Sequence, residues 1–464
     1  MAYSRGMKNV LQYIDDHLDA SLARLFTLLR IPSISAQPAH AADCRAAALW
    51  ARDTLTEMGF SARLSETSGL PGVIAQNHAA GPDAPHVLFY GHYDVQPADP
   101  LNLWHSDPFN PQIIEGPRGK RIVGRGAVDD KGQVVSFFEA CRAHLAVNGT
   151  LPVRLTILLE GEEECGSPSL AELLTNEREV LAADFVLVAD TNMWNFETPA
   201  ITMSLRGLAA SEVTIHGPSR DLHSGLYGGI ALNPINALTR ILGDLHDDQG
   251  SVRIPGFYDG VVPVEAALAN AWQSLGFDPD IFLGEVGLHY PAGEHGQSPL
   301  AQLWARPTAE INGIFGGYQG DGTKTVIPAQ ATAKLTFRLV PGQDPTAIQK
   351  NFERFVNERL RPDAKASFKH LGAAPGFAIS LDAPFMHAAQ NALRDEFGKP
   401  AALVGCGASI PIVEAFKTHL GLDTLLAGFG LDDDAIHSPN EKFEVSCFHR
   451  GSRAHARLLQ AFAG

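Results

Sequence analysis

Short apolar runs alternate with stretches of helical periodicity along the first part of the chain. Strands are predicted where the run is continuous and ends in turn residues, at HVLFYGHYD (86–94), VRLTILLE (153–160) and DFVLVAD (184–190). Helices are predicted where apolar residues recur at spacings of three and four, at 8–30, 42–58, 132–146 and 169–176. Apolar strands separated by helices are typical of a parallel or mixed sheet covered on both faces.

The pattern changes at about residue 207 and changes back at about 378. Between these points, strands are predicted at LAASEVTIHG, AEINGIFGG, ATAKLTFRLVP and KASFKHLGA, with helices at NPINALTRILGDLHD and PTAIQKNFERFVNERL. This order fits a small antiparallel sheet carrying two helices. The stretch 250–308 is predicted to be irregular, because it is rich in Gly and Pro. After 378 the first pattern resumes, with helices at 384–397 and 443–462 and a strand at 423–430.

The expected fold is therefore α/β, with a mixed, mostly parallel sheet covered by helices and an inserted α+β domain. Residues 1–206 form the first part of the outer domain, 207–377 the insertion, and 378–464 the second part of the outer domain. A chain of 464 residues is long enough for two such domains.

Charge and composition exclude several classes of function. The formal net charge is −16, and the charges are spread along the chain, which argues against a nucleic-acid partner. No stretch reaches the roughly 18 to 20 apolar residues that cross a bilayer, and the N-terminus lacks the apolar core of a secretion signal. We therefore expect no membrane partner and a cytoplasmic location. The five cysteines are odd in number and show no metal-type pairing.

Polar residues with metal-binding chemistry follow the predicted strands. His92 and Asp94 in GHYDVQP are two residues apart, so in a strand both side chains project from the same face. Asp129 and Asp130 lie in the glycine-bounded loop GRGAVDDKGQ, where Asp replaces the third glycine of a dinucleotide-binding motif. Alternatively, these acids have a structural role and stabilise the N-terminus of the following helix.

More acids and a second histidine follow. The run ILLEGEEECGS places Glu160, Glu162, Glu163 and Glu164 at the end of one strand, Asp190 ends the next, and His437 lies in DAIHSPNEKF. If these acids and histidines lie close together in the fold, they form a ligand set for Zn²⁺, Mn²⁺ or Co²⁺. Two such ions would need a bridging carboxylate.

Six motifs in order resemble one family of enzymes. They are GHYDVQP, GRGAVDDKGQ, EGEEECGS, DLHSGLYGG, KTVIPAQATAKLTFRLVP and IHSPNEKF. Together they resemble the dinuclear-metal peptidases that include carnosine dipeptidases, carboxypeptidase G, acetylornithine deacetylase and aminoacylases, and they are most similar to the carnosinase-type dipeptidases. The resemblance covers nearly the whole chain.

The resemblance implies a metal centre of two divalent ions, taken to be zinc, with manganese and cobalt as alternatives. It implies that His92 and Asp190 hold one ion, that Glu164 and His437 hold the other, and that Asp129 bridges both. It further implies that Asp94 orients His92 and that the peptide bond between Asp129 and Asp130 is cis. Glu163 is implied as the general base that activates a metal-bridging water, whereas Glu162 has no implied role.

The resemblance also implies how substrate is bound. Arg338 would bind the terminal carboxylate of the substrate, with Thr325 and Ser409 as further polar contacts. Alternatively, Arg338 has a structural role and forms an ion pair within the inserted domain. His223 would reach the active site of the partner subunit of a homodimer and assist the oxyanion, so that the inserted domain serves as both lid and dimer surface.

The expected function is hydrolysis of the peptide bond of dipeptides or small peptides with a free C-terminal carboxylate. The alternative is an N-acyl-amino-acid amidohydrolase or deacetylase, or a carboxypeptidase, with the same chemistry. A non-catalytic binding protein on the same scaffold is disfavoured because Glu163 and Asp129 are both present.

Overall fold

The computed structural model describes residues 2–408 and 410–464, which divide into two compact units. Unit 1 comprises Met1–Thr202, Ile379–Val404 and Pro411–Gly464, and unit 2 comprises Met203–Ala378 and Gly405–Ile410. The sequence predicted an insertion at 207–377. The short segment Gly405–Ile410 also belongs to unit 2, although the predicted boundaries assigned it to the outer domain.

Unit 1 is built on a mixed sheet. Its strands lie in the order Ser61–Ser65, Gly72–Asn77, Arg154–Glu160, His86–His92, Phe185–Val188, Thr424–Leu426 and Ala200–Leu205, and Ala402–Cys406 also pairs with the last of these. The four strands from Arg154–Glu160 to Thr424–Leu426 are parallel, and the flanking pairs are antiparallel. The predicted mixed α/β fold is confirmed.

The central strands of this sheet are buried and end together. All seven residues of His86–His92 are buried, as are six of the seven in Arg154–Glu160. Such apolar runs form strands that need cover on both faces. His92 pairs with Glu160 across the parallel ladder, so these two strands deliver their C-terminal residues to the same edge of the sheet.

Helices cover this sheet. In unit 1 they are Ala2–Asp16, Leu18–Leu29, Ala41–Glu57, Lys131–Asn148, Leu170–Asn176, Met386–Phe397, Pro411–Ala415 and Val445–Phe462. The continuous helix predicted at 8–30 is wrong, because the backbone at His17 (φ −113°, ψ 14°) leaves the α-helical region. Val10 and Ile14 of the first helix pack against the helix Lys131–Asn148.

A separate three-stranded sheet in unit 1 was not predicted. Its strands lie in the order Lys442–Glu444, Gly119–Val123 and Gln112–Gly116, with antiparallel pairing throughout. These strands are three to five residues long, and their sequences lack a continuous apolar run. The sheet pairs Lys442 with Val123 and thereby joins the segment after His437 to the segment before Asp129.

Unit 2 has the predicted antiparallel sheet and two helices. The strands lie in the order Thr308–Gly316, Gln330–Leu339, Gly207–His216 and Lys365–Ala374. The helices Pro234–Gly243 and Pro345–Asn357 place apolar residues such as Leu238 and Phe352 in the same core as this sheet. Each helix begins at Pro, and its N-cap side chain, from Asn233 or Asp344, accepts a backbone N–H bond.

The remaining elements of unit 2 are short. They are the strands Leu222–His223, Val326–Ile327 and Phe377–Ala378 and the helices Ser224–Tyr227, Ala266–Ser274, Pro279–Gly284 and Pro299–Trp304. Three of these helices lie in the stretch 250–308 that was expected to be irregular, and the helix N-caps Asp278 and Ser298 precede prolines there. No helix among the described residues is long and apolar enough to span a membrane.

Candidate metal centre

Five side chains of unit 1 converge into two triads that share one carboxylate. One triad is His92, Asp129 and Asp190, and the other is Asp129, Glu164 and His437. Within each triad the ligand atoms lie within 4.8 Å of one another. These are the five residues that the family resemblance implied as metal ligands.

The two oxygens of Asp129 face different histidines. His92 Nε2 lies 3.1 Å from Asp129 Oδ1 and 3.7 Å from Asp190 Oδ2. His437 Nε2 lies 3.0 Å from Asp129 Oδ2 and 3.1 Å from Glu164 Oε2. Two ligand atoms that are each about 2.1 Å from one tetrahedral ion lie roughly 3.4 Å apart. The observed spacing therefore fits two metal ions that share Asp129.

The parallel strands explain how residues distant in sequence meet. His92 ends its strand, and Asp190 follows Phe185–Val188 by two residues. Glu164 lies in the 3₁₀ turn Glu163–Cys165, just beyond Arg154–Glu160. All three strands are parallel neighbours, so their carboxyl ends lie at one edge of the sheet, where α/β proteins place their ligand sites.

Asp129 is supplied by a tightly turned loop before the helix Lys131–Asn148. The Asp129–Asp130 peptide bond is cis, as the resemblance implied. Asp130 is fully buried and its Oδ2 accepts the backbone N–H of His92 at 3.1 Å. A Cβ on Gly132 would lie 1.9 Å from the carbonyl oxygen of Ala127, so the helix start tolerates only glycine there.

His437 is presented by the segment that precedes the strand Lys442–Glu444. Its φ is 60°, in the left-handed region, and Ala435 and Asn440 have the same sign of φ. The side chain of Asn440 donates to the carbonyl of Leu103 (2.9 Å) and accepts the N–H of His105 (2.8 Å). These two hydrogen bonds fix the backbone between His437 and the strand Lys442–Glu444.

Asp94 lies behind His92 and contacts both triads. His92 Nδ1 lies 3.3 Å from Asp94 Oδ1 and 3.1 Å from the Asp94 carbonyl oxygen. Asp94 Oδ2 accepts the backbone N–H of Glu164 at 3.0 Å. With its proton on Nδ1, His92 presents the Nε2 lone pair to Asp129 and Asp190, which is the tautomer a metal needs.

The electrostatics of this centre favour cations. Asp129 and Glu164 raise the pKa of His437 to about 10. Burial opposes charge on His92, but Asp129, Asp190 and Asp94 raise the pKa of its imidazole well above the usual value. Burial also opposes charge on Asp129, whose pKa is nevertheless held low by His437 and His92. The donor set of two imidazoles and three carboxylates fits a pair of borderline divalent ions.

The four glutamates at the end of the strand have different surroundings. Glu163 lies near the triads: burial raises its pKa to about 8, His92 opposes that rise, and Asp190, Glu164 and Asp129 reinforce it. Glu160 accepts a hydrogen bond from the Tyr90 hydroxyl at 2.8 Å. The side chain of Glu162 is directed away from the triads, and its carboxylate oxygens accept the backbone N–H groups of Leu70 and Ser169, each at 3.1 Å.

Gln96 is a site residue that sequence reasoning missed. Its side-chain amide donates to Oε2 of Glu164 at 2.8 Å and to the Glu164 carbonyl at 3.1 Å. The signal was present in GHYDVQP, because the alternation that groups His92 with Asp94 also includes residue 96. Gln96 constrains the Glu164 carboxylate that faces His437.

The predicted substrate-binding residues that the structure describes lie in unit 2. His223 pairs with Val326, and the N–H of Ser224 donates to the Thr325 carbonyl, so the segments of His223 and Thr325 are adjacent. His223 Nδ1 accepts the Gly225 N–H at 3.0 Å, which leaves the proton of the neutral ring on Nε2. Ser409 lies outside the described residues.

Arg338 is half-buried in the strand Gln330–Leu339 and has a second arginine near it. Burial lowers the pKa of Arg206, and the positive charge of Arg338 lowers it further. Arg206 Nε donates to the Gly407 carbonyl at 3.1 Å. Sequence reasoning missed Arg206, although it also lies among apolar residues, in SLRGLAA.

Comparison with known proteins identifies the family of this chain. The sequence profile described as Peptidase family M20/M25/M40 matches residues 88–461. The chain belongs to this family. The predicted resemblance to dinuclear-metal peptidases is thus confirmed, and the chain is a metallopeptidase.

Three relatives illustrate how this M20 family peptidase compares with others. The Beta-Ala-His dipeptidase of Homo sapiens is 32% identical over 98% of this chain and 93% of the relative. The Cys-Gly metallodipeptidase of Schizosaccharomyces pombe is 29% identical over 99% of this chain and 98% of the relative. The solved M20 family metallo-carboxypeptidase of Sulfolobus solfataricus is 28% identical, with a TM-score of 0.82 over 96% of this chain and 99% of that one.

Proposed function

We propose that this M20 family peptidase is a dipeptidase that hydrolyses the peptide bond of dipeptides with a free C-terminal carboxylate. The observation that carries the proposal is the pair of triads sharing Asp129, with Glu163 close to both. Two relatives that match nearly the whole chain support it, one named a Beta-Ala-His dipeptidase and the other a Cys-Gly metallodipeptidase.

The metal centre would hold two divalent ions, which we take to be zinc. His92 and Asp190 would hold one ion and Glu164 and His437 the other, with Asp129 available to both. When bound, such a pair polarises a carbonyl group and lowers the pKa of a water molecule. Asp94 keeps His92 in the tautomer that presents Nε2. Manganese and cobalt suit the same donors.

Glu163 is the general base in this proposal. It lies beside the ligand Glu164 but belongs to neither triad, so its carboxylate remains available for proton transfer. Burial and, to a lesser extent, the acids around it raise its pKa, which suits a group that takes a proton from the attacking water and returns it to the departing amine.

The carboxylate end of the substrate is bound by residues of unit 2. Arg338 provides the charge, and Thr325 and Ser409 provide polar contacts. The nearby Arg206 adds a second guanidinium, so that an anion is favoured over a neutral group at this position. Arginine suits this role because its planar fork matches a carboxylate.

We also propose a homodimer in which His223 serves the active site of the partner subunit. His223 is exposed on unit 2 and, with its proton on Nε2, can donate a hydrogen bond to a developing oxyanion. Mixing an inactive His223→Ala variant with an inactive Glu163→Gln variant tests this, because mixed dimers would contain one intact site. Unchanged inactivity after subunit exchange, verified by differently tagged chains, would exclude the shared site.

An N-acyl-amino-acid amidohydrolase or a carboxypeptidase is the second candidate, since the substrates of all three activities present a carboxylate. The similarity to the Sulfolobus metallo-carboxypeptidase favours keeping it. A cytoplasmic location remains part of the proposal.

One assay separates the candidates. The protein is stripped of metal, reloaded with zinc, manganese or cobalt, and tested on dipeptides, tripeptides and N-acyl amino acids. We expect dipeptides to be cleaved fastest and only after reloading. Faster cleavage of N-acyl amino acids or of longer peptides would favour the second candidate, and full activity in the stripped protein would exclude the metal mechanism.

A further inference from the structure

We infer that Glu441 is a positioning residue that holds the Asp129 loop against the segment carrying His437. The inference rests on the proposed function, in which Asp129 and His437 bind the same ion. Glu441 belongs to neither triad, and it lies only four residues beyond His437. Its side chain is fully buried, which for an acid demands partners.

The partners of Glu441 are all in the loop that ends at Asp129. Its Oε2 accepts the backbone N–H of Gly126 at 2.9 Å. Its Oε1 accepts the backbone N–H groups of Val128 at 3.0 Å and Asp129 at 3.1 Å. Three amides in four residues are thus directed at one carboxylate, which fixes the course of the backbone immediately before the bridging side chain.

Arg125 completes the environment of Glu441 and reaches a third segment. Its Nη1 donates to Glu441 Oε2 at 2.8 Å, and its Nη2 donates to the Pro97 carbonyl at 3.2 Å. The guanidinium also lies 5.4 Å from the ring centroid of Trp104. The segment that follows His92 and Asp94 is therefore tied to the same ion pair.

The backbone of Glu441 is itself held on both sides. Its carbonyl accepts the N–H of Gly124 at 3.0 Å. The next residue, Lys442, pairs with Val123 in the three-stranded sheet, and its side chain forms an ion pair with the buried Asp434. This ion pair joins the two ends of the segment from Asp434 to Lys442, which contains His437. The backbone that carries the Glu441 side chain is therefore held in place.

Only a carboxylate satisfies this set of contacts. The three amides and the guanidinium are all donors, and a carboxylate offers acceptor sites alone. In Glu441→Gln, the side-chain NH₂ group must oppose either Arg125 or a backbone amide, and a buried donor is left without an acceptor. The Asp129 loop is expected to shift relative to His437, although every ligand remains present.

The test measures metal binding without catalysis. Glu441→Gln and wild type are compared by competition titration with zinc and by the visible absorption of the cobalt-loaded protein, together with urea unfolding of the metal-free form. We expect metal affinity to fall by about 10- to 100-fold, as for partners that orient metal ligands, with an altered cobalt spectrum. Wild-type affinity and spectrum in Glu441→Gln would overturn the inference.

Glu139→Gln is the matched control. Glu139 is also a buried acid of unit 1 bonded to an arginine, since it accepts from Arg24 Nε at 2.7 Å and from Ser21 Oγ at 2.9 Å. Its hydrogen-bond and ion-pair partners in the described part of the chain are Ser21, Arg24 and Arg142, so its variant should lose stability while keeping wild-type metal affinity. An equal loss of affinity in both variants would mean that Glu441 acts only through overall stability.

Arg125→Lys keeps the inference testable if Glu441→Gln does not fold. It retains a cation beside Glu441 but loses the second donor to Pro97, so a smaller loss of affinity and a shifted cobalt spectrum are expected, and unchanged values would contradict the inference. The readouts also separate the two proposals. Two bound ions without peptidase activity in wild type would contradict the proposed function alone.

Discussion

Glu162 and Glu163 are consecutive residues with opposite surroundings. Both carboxylate oxygens of Glu162 accept backbone N–H groups, from Leu70 and Ser169. The carboxylate of Glu163 instead lies among the acids and histidines of the metal centre, and its pKa rises to about 8 through burial, with further contributions from Asp190 and Glu164. Glu162 is held by the backbone, whereas Glu163 has the surroundings that the proposed general base requires.

Replacing Glu163 by Gln should abolish most turnover while leaving metal binding intact. Loss of a general base costs about 10²- to 10⁴-fold in rate, and Glu163 is not a member of either triad. The measurement is kcat on the best dipeptide, together with metal content after dialysis. Retention of wild-type kcat would exclude Glu163 as the base.

Glu162→Gln is the companion variant for this prediction. It should keep most of its turnover and lose about 1 to 3 kcal/mol of unfolding free energy, because a buried N–H group loses its acceptor. Urea unfolding and kcat measured on the same preparation separate the two effects. If Glu162→Gln lost turnover and Glu163→Gln did not, the roles of the two residues would be exchanged.

Metal binding should release protons at neutral pH. In the metal-free protein, His437 has a pKa of about 10, raised by Asp129 and Glu164, and His92 is also shifted upward. The His437 imidazole is protonated at pH 7 and must lose that proton to bind metal, and the upward shift of the His92 pKa opposes metal binding in the same way. Metal affinity should therefore rise with pH, with at least about one proton released per ion pair.

Calorimetry in buffers of different ionisation enthalpy measures this release. His437→Ala should bind one ion fewer and release about one proton fewer. A proton release near zero in wild type would contradict the protonation states inferred for the metal-free centre.

Replacing Arg338 should remove the preference for a free carboxylate. Hydrogen bonds to charged groups are worth about 1.5 to 3 kcal/mol, so Arg338→Ala should lower kcat/KM for a dipeptide by about 10- to 100-fold. The C-terminally amidated dipeptide should be a poor substrate for both proteins. Equal discrimination between acid and amide in wild type and variant would mean that Arg338 serves an ion pair within unit 2.

His455 should make the protein less stable in acid. It is fully buried, neither ring nitrogen has a partner in the described part of the chain, and Phe137 and Phe429 pack edge-on against it. Burial lowers its pKa from 6.5 to about 3. Its neutral form therefore contributes stability above pH 6.5 that is lost as the pH falls towards 3, by at most about 1.4 kcal/mol per pH unit.

Urea unfolding of wild type and His455→Leu between pH 4 and 8 checks this. Above about pH 6.5, the free energies of unfolding of wild type and His455→Leu should differ by a constant amount. Below that pH, wild type should lose stability relative to the variant. The other buried histidines are common to both proteins and cancel in the comparison. Parallel pH profiles would show that His455 does not titrate with this shift.

The sequence predicted the elements that bury continuous apolar runs. The strand His86–His92 and the helix Lys131–Asn148 lie close to their predicted bounds, because the apolar residues within each segment are enough to indicate that it is buried. The short strands Gly119–Val123 and Lys442–Glu444 were missed, since their pairing depends on each other. The break at His17 was missed because both flanking helices have the same periodicity.

The candidate site was predicted better than its surroundings. The five residues proposed as metal ligands have distinctive chemistry and lie in recognisable motifs, and the structure brings them together. Gln96, Arg206 and Glu441 were missed because each acts through contacts with residues distant in sequence. A glutamine or glutamate at one position does not indicate which backbone groups it meets.

The order of the ligands along the chain has a consequence for biosynthesis. Four of them lie between His92 and Asp190, and the fifth, His437, follows the whole of unit 2. A growing chain therefore contains all three residues of one triad before the inserted unit is made, but the second triad needs a residue that is synthesised afterwards. If His437 is a metal ligand, as proposed, the ion that it holds can be bound only after the ribosome has produced nearly all of the protein.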